Sequence, residues 1–383
     1  MKMMLIVQVL VGLNKGGAEM MMRRLVEAHQ RNADDIRHVV VSMTDLGFHG
    51  DALRKQGVDV RCLGMRSPWQ MMSAMVMLVR ILNELKPDIV QTWMVHADLL
   101  GGVAARWAGV HRVIWGVRTT DYTVESRSTR FVRWMCAHLS PVIPACIVCA
   151  AQASLDNSRE AGYDASKLMV IANGFDVQNL KRFAGQGRLI RAKVDRLREN
   201  GVVVVGCLGR YNSAKDHENF VKAAGILAAC YPACRFLMVG RGLDASNEKL
   251  VSLISATGFD ERFVLMGEQS DPASYLDAMD VFVLSSCTEG FPNALGEAMT
   301  LGIPCVSTDV GDAALLLGDA ACIVPPRNAN SLANAVARLL DMSSFERQAL
   351  GRIGRERVER NFSIDIAANK FFTLYKMLIL GPH

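Results

Sequence analysis

Short apolar runs alternate with longer stretches in which apolar residues recur every three or four positions, and this rhythm holds from one end of the chain to the other. Runs of four to eight residues bounded by polar or glycine positions read as buried strands, and the three-to-four spacing reads as helices. In the first half the predicted strands are MLIVQVLV, HVVVSM, VDVRCL, DIVQTW, RVIWGV, CIVCA and LMVIAN. In the second half they are VVVVGCLG, RFLMVG, RFVLMG, DVFVLSS, PCVSTD and CIVPP. The segment GAEMMMRRLVEAHQ shows the helical pattern, with Ala18, Met21, Met22, Leu25 and Ala28 on one face. Its methionines read as core packing. Strands that alternate with helices predict a parallel sheet, and the restart midway predicts an α/β chain of two Rossmann-like parallel-sheet domains facing each other across a cleft.

The break between the halves falls in NLKRFAGQGRLIRAKVDRLRENG, polar and rich in arginine, which reads as a linker plus a surface helix. The expected domains are therefore residues 1–180 and 181–365. The closing IAANKFFTLYKMLIL is amphipathic and is expected to pack back on one of them, with residues 366–383 placed on the first. Ligands of parallel sheets gather at the carboxyl ends of the strands, so the crevice between the domains is the expected site.

Composition sharpens this picture in four respects. A length of 383 residues exceeds one ordinary core, and a chain half apolar and about one-fifth charged is globular. The net charge of +5 is modest, but residues 101–150 hold six arginines against Asp121 and Glu125. That excess predicts a local basic face, too small for nucleic acid. The ten cysteines lack the paired spacing of a disulfide framework, which points to a reducing, cytoplasmic setting. Cys146 and Cys149 form a lone C-x-x-C that reads as core, with a metal or redox role as the alternative. The N-terminal apolar run has no small-residue cleavage site and reads as a strand, and no apolar stretch reaches the ~18 residues of a membrane span.

Three places carry candidate chemistry. VGLNKGGAE puts Gly16 and Gly17 between the first strand and first helix, where backbone N–H groups can meet an anion; the pattern alone also suits a packing turn. CLGRYNSAKDHENF puts Arg210 and Lys215 after the first strand of the second half, where two cations can neutralise a diphosphate or simply line a solvated loop. CTEGFPNALGEAMTLG runs from strand through turn to helix, with Glu289 in the turn, Glu297 in the first two helical turns, and the helix-start N–H groups of Asn293, Ala294 and Leu295 between them. Carboxylates flanking an anion site suit neutral sugar or ribose hydroxyls.

These residues carry a resemblance. EGFPNALGE is similar to the E-x7-E motif of retaining glycosyltransferases of the GT-B fold, and GRYNSAKDHENFVKAA resembles that family's G-R-x-x-x-x-K element. KGGAE, VIANGFD, FLMVGRG and TLGIPCVSTDVGD match further family elements, so the likeness spans nearly the whole chain. QTWMVHADLLGGVAARWAGVHRVIWGVRTTD resembles, more narrowly, the family 4 members that build bacterial surface polysaccharides.

The resemblance implies a nucleotide-diphosphate-sugar donor, with a UDP-sugar expected, held mainly by the second domain. Glu297 would bind ribose hydroxyls, Glu289 the donor sugar, and Arg210 and Lys215 the diphosphate. Phe291, Pro292, Asn293 and Ala294 would present backbone to sugar and phosphate, and Gly16 and Gly17 would close from the first domain. It implies no metal and no further cofactor, in keeping with the absence of an Asp-x-Asp pair. Retention would proceed on one face of the sugar, a departing phosphate oxygen helping to deprotonate the acceptor hydroxyl.

His96 matches a family histidine near the acceptor, and reads equally as a helix cap or a partly buried residue. Where many members carry a histidine after the next strand, this chain has Arg118 and Asp121. Arg118 is thus a candidate catalytic, phosphate or acceptor contact, with an Arg118–Asp121 salt bridge as the alternative. Arg118, Arg127, Arg130 and Arg133 interleave with Phe131, Val132, Trp134 and Met135, a pattern that suits either an anionic membrane surface or a solvated helix face. The expected partners are the sugar nucleotide and a glycan or lipid-diphosphate-linked acceptor at the inner face of the plasma membrane. Two other readings stay open: a glycoside-cleaving enzyme using a carboxylate pair, and a sugar-nucleotide-binding protein without turnover.

Overall fold

The computed structural model of the chain describes residues 3–32, 35–119, 126–194, 201–318 and 322–381. It divides into two compact units, Met1–Gly174 with Ile364–His383, and Phe175–Ser363.

The first unit is built on a seven-stranded parallel sheet of β1 (Met4–Leu10), β2 (Ile36–Ser42), β3 (Asp59–Cys62), β4 (Ile89–Trp93), β5 (Val113–Val117), β6 (Cys146–Cys149) and β7 (Leu168–Val170), in the order β3-β2-β1-β4-β5-β6-β7. A strand covered on both faces must be apolar on both, and β1 shows it. Ile6 and Leu10 join the core under the helices Gly17–Asn32 and Ile364–Leu380. Val7 and Val9 join the opposite core under Met71–Leu85, Val95–Trp107 and Arg127–Leu139. The closing helix Ile364–Leu380 belongs to this unit, burying Ala367, Ala368, Phe371, Leu374 and Tyr375.

The second unit carries a six-stranded parallel sheet of β8 (Val203–Leu208), β9 (Cys234–Val239), β10 (Phe263–Leu265), β11 (Val281–Leu284), β12 (Cys305–Thr308) and β13 (Cys322–Val324), ordered β10-β9-β8-β11-β12-β13. The strand order reverses direction between β1 and β4 in the first unit and between β8 and β11 in the second. Backbone leaving adjacent strands there turns to opposite faces and opens a crevice at their carboxyl ends.

Two expectations change. The described part of the arginine-rich stretch, 179–194, is not a linker: the helices Val177–Lys181 and Arg188–Val194 belong to the second unit. Arg191 forks onto Asp280 through Nη1 and Nη2, each at 2.9 Å, and Gly187 N–H donates to Asp277 at 2.8 Å. Nor do the six arginines of 101–150 form one face. Arg133 is only 5% exposed and Arg118 is half-buried, so on the helix Arg127–Leu139 only Arg127 and Arg130 reach the surface, beside Phe131 and Trp134. No helix among the described residues is long and apolar enough to cross a membrane. Cys146 and Cys149 are buried in β6, where burial pushes their thiols up to about 11 and about 12. They belong to the core, and among the described residues no cluster of three or more His, Cys, Asp or Glu is placed to hold a metal ion.

Candidate active site

In the second unit the two halves of the motif pattern meet at the reversal between β8 and β11. Lys215 ends a short turn of helix, Ser213–Lys215, after β8, and Glu289 lies in the turn after β11. Lys215 Nζ donates to Glu289 Oε1 at 2.6 Å, and Ser286 Oγ donates to the same oxygen at 2.6 Å. Glu289 Oε2 takes no hydrogen bond from the described residues.

The surrounding backbone fixes this pair. Cys287 N–H donates to Ala214 O at 2.8 Å and Ser285 Oγ to Lys215 O at 3.0 Å, sewing the β11 exit to the Ser213–Lys215 turn. Asn212 caps that turn through Lys215 N–H at 3.0 Å, and Asp216 caps the helix His217–Cys230. From the other side Asp312 N–H donates to Gly290 O at 2.9 Å. Gly311 makes that approach possible: its φ is +52°, and a Cβ there would fall 2.4 Å from Glu289 O.

The helix Asn293–Thr300 starts behind Pro292, which has no side-chain oxygen to cap it, so the helix presents its positive end without an N-cap acceptor. Asn293, Ala294 and Glu297 are half-buried along its first turns. Phe291 is buried, its ring between Phe175 (centroids 5.9 Å apart) and Phe362 (5.7 Å). Its side chain serves packing. Phe175 in turn lies against Gly296, where a Cβ would meet the ring at 2.0 Å. Arg210 is exposed just beyond β8.

In the first unit the candidates also leave neighbouring strands. Gly16 and Gly17 are exposed at the start of the helix Gly17–Asn32, after β1. His96 is the second residue of the helix Val95–Trp107, after β4, and is half-buried. Met94 before it holds φ 73°, ψ 151°, a conformation that costs a non-glycine residue of order 1–3 kcal/mol. It is held there from both sides, Met94 N–H donating to Gly116 O at 2.9 Å and Asp98 N–H to Met94 O at 2.9 Å. Asp98 is fully buried and ties β4 to β5, its Oδ1 accepting from Thr92 Oγ1 at 2.6 Å and Gly116 N–H at 3.1 Å. Burial pushes its carboxyl up to about 7.

Arg118 follows β5, its guanidinium 4.5 Å above the Trp93 ring and Nη1 donating to Asn173 Oδ1 at 3.0 Å. Asp121, its expected partner, lies outside the described residues. Sequence reasoning missed Ser286, Trp93 and the pairing of Arg118 with Asn173. Asn173 stands in the VIANGFD element, but nothing in that element's spacing points to Arg118.

Comparison with known proteins speaks to the family and the fold. Residues 15–179 match the family described as Glycosyltransferase Family 4, and residues 202–342 match the one described as Glycosyl transferases group 1. The chain is 27% identical over 318 residues to a UDP-Gal:alpha-D-GlcNAc-diphosphoundecaprenol alpha-1,3-galactosyltransferase of Escherichia coli, covering 81% of this chain and 80% of that one. It is 22% identical to the capsular polysaccharide biosynthesis glycosyltransferase CapM of Staphylococcus aureus, over 96% of this chain and 94% of the relative. Among solved structures, Anabaena HepE in complex with UDP-glucose superposes with a TM-score of 0.81 at 20% identity, over 97% of this chain and 99% of the other. At that identity the superposition speaks for the fold, two parallel-sheet α/β units of the GT-B class.

Proposed function

The chain belongs to the family 4 glycosyltransferases of the GT-B fold, and on that premise we propose that it is a retaining enzyme moving one sugar from a UDP-sugar to a hydroxyl of a growing, lipid-linked bacterial glycan. The acceptor and donor classes follow the E. coli relative, whose name gives a UDP-sugar and a diphosphoundecaprenol-linked sugar. The observation that carries the reading is the Lys215–Glu289 contact at the β8–β11 reversal. A carboxylate alone beside a diphosphate repels it. Paired with Lys215 its charge is offset, and its second oxygen remains to accept a hydroxyl of the donor sugar.

In this reading Glu297 grips the ribose hydroxyls, and the helix start at Asn293 and Ala294 takes a phosphate. Arg210 and Lys215 stabilise charge building on the leaving diphosphate. Gly16 and Gly17 approach the phosphates with backbone N–H groups. The bond from the sugar's anomeric carbon to the diphosphate oxygen breaks, and the bond to the acceptor oxygen forms on the same face. The acceptor's proton passes to the departing phosphate oxygen. His96 and Arg118 stand on the acceptor side. No metal or further cofactor takes part, the two cations supplying the neutralising charge. Glycoside cleavage by the two carboxylates fits less well, because it leaves Arg210 and Lys215, which is bonded to Glu289, no diphosphate to neutralise.

The test is transfer from UDP-sugars to lipid-linked glycan, with the product's anomeric configuration read by NMR. Glu297→Ala should weaken donor binding about tenfold or more, and EDTA should leave turnover intact. An inverted product overturns retention, unchanged donor affinity overturns the role of Glu297, and loss of turnover on chelation overturns metal independence.

A further inference from the structure

Arg118, at the β5 exit, is a charged group whose surroundings leave it incompletely answered among the described residues. Its guanidinium is pinned twice, by the Trp93 face at 4.5 Å and by Asn173 at 3.0 Å. Trp93 is itself fully buried and anchored, its Nε1–H donating to Gln8 Oε1 at 2.7 Å. The plane of the fork is therefore set before any ligand arrives. Nη1 is used by Asn173, yet Nε and Nη2 are both buried and meet no acceptor among the described residues.

Those two atoms are not an arbitrary pair. Nε–H and Nη2–H leave the same edge of a guanidinium in parallel, the spacing that accepts two oxygens of one carboxylate or phosphate. The nearby carboxyl does not fill this edge. Asp98 has its Oδ1 committed to Thr92 and Gly116, and its Oδ2 meets no hydrogen-bond donor among the described residues, those of Arg118 included. Burial brings the guanidinium down to about 10, so it stays charged at neutral pH. A desolvated charge with two unanswered donors is costly, and folding gains nothing from keeping it. A leucine or methionine would cover Trp93 as well. The arrangement makes sense when an anion completes it.

We propose that the Nε–Nη2 edge of Arg118 receives one compact oxyanion, a phosphate group carried by the acceptor. This rests on the glycosyl-transfer reading only for the identity of the molecule that brings the phosphate. Bidentate recognition would fix the acceptor's anionic end while its hydroxyl is presented elsewhere, so the site selects acceptors by charge.

The experiment uses the full chain with UDP kept saturating, so that any phosphate site among the donor-binding residues is already filled. Inorganic phosphate should raise the melting temperature of the wild-type protein, and the rise should vanish in Arg118→Met and shrink in Arg118→Lys, which keeps the charge and loses the fork. Arg118→Met should fold at least as stably as wild type without phosphate, since it removes an unpaired buried charge and keeps an apolar stem on Trp93. In transfer assays the same variant should raise KM about tenfold or more for a prenyl-diphosphate-linked sugar, and much less for a neutral alkyl glycoside. An equal phosphate response in wild type and Arg118→Met overturns the proposal, as does an equal rise in KM for charged and neutral acceptors. Failure of the wild-type protein to bind UDP would overturn the transfer reading and leave the phosphate comparison standing.

Discussion

Glu19 shows how a single side chain can work against the site it borders. It is the third residue of the helix Gly17–Asn32, and its carboxylate lies against Gly16, so that a Cβ on Gly16 would fall 2.2 Å from Oε2. An acid in a helix's first turn is stabilising by about 0.3–1 kcal/mol. The same N–H end is where the donor's phosphates are proposed to approach, and a carboxylate there repels them. Glu19→Gln should therefore tighten UDP-sugar binding severalfold, roughly 0.5–1 kcal/mol, while lowering stability by a similar amount. Calorimetric titration of UDP-sugar against both proteins checks it, and weaker binding by the variant would remove Gly16 and Gly17 from the donor site. At this scale the sequence names residues but not their partners. Lys215 and Glu289 are each legible from motif spacing, whereas their contact joins positions 74 residues apart and depends on β8 lying beside β11. Ser286 is one serine of several at a strand end, and nothing but the folded turn singles it out. Arg133 misleads because charge on a helix reads as exposed, although it is buried.

A chain of buried polar groups runs through the first unit to the closing helix. Trp93 donates to Gln8, and Gln8 Nε2 then faces His38 Nδ1 at 3.2 Å. His38 Nε2 faces His29 Nδ1 at 2.9 Å, and His29 Nε2 faces Ala368 O at 3.0 Å. Each link leaves one assignment for the next: Gln8 Oε1 accepts, so its amide donates, and both imidazoles must be neutral with the proton on Nε2. A second proton on either ring turns an acceptor into a donor facing a donor. Burial lowers the pKa of both histidines, that of His38 strongly. The unfolded chain consequently binds more protons just below pH 6.5, and stability declines as pH falls through that range. Hydrogen exchange, corrected for intrinsic rate, should show the helix Ile364–Leu380 losing protection at pH 5 relative to pH 7, ahead of the rest of the unit. Glutamine can accept and donate at the same two points without titrating, so His29→Gln should narrow the difference. Equal protection at both pH values would show the relay does not govern this helix. The elements themselves were legible because parallel strands covered on both faces stay apolar throughout, as in β1, and each of the thirteen strands among the described residues coincides with a run identified by pattern. The stretch 179–194 was not, because its arginines read as solvated while Arg191 anchors it to Asp280.

For the molecule as a whole, the proposed lipid-linked acceptor requires the protein to work where lipid is, and one sheet face of the first unit offers a means. The helices Met71–Leu85, Val95–Trp107 and Arg127–Leu139 pack side by side over one core. Phe131 and Trp134 are 59% and 55% exposed with stacked rings 5.8 Å apart, flanked by exposed Arg127 and Arg130. Trp69, 96% exposed, leads into a helix whose Met71, Met72, Val76 and Met77 are also exposed. Exposed aromatics beside arginines combine shallow apolar insertion with attraction to anionic headgroups. The protein should therefore sediment with vesicles containing anionic phospholipid, bind less as salt rises, and bind little to zwitterionic vesicles. Phe131→Ser with Trp134→Ser should weaken vesicle binding about tenfold at any salt concentration, since each aromatic contributes apolar burial that screening does not touch. Arg127→Gln with Arg130→Gln should weaken it mainly at low salt. The two pairs of substitutions thus separate insertion from attraction, and equal binding of wild type to anionic and zwitterionic vesicles would deny this face a role in bringing the enzyme to its acceptor.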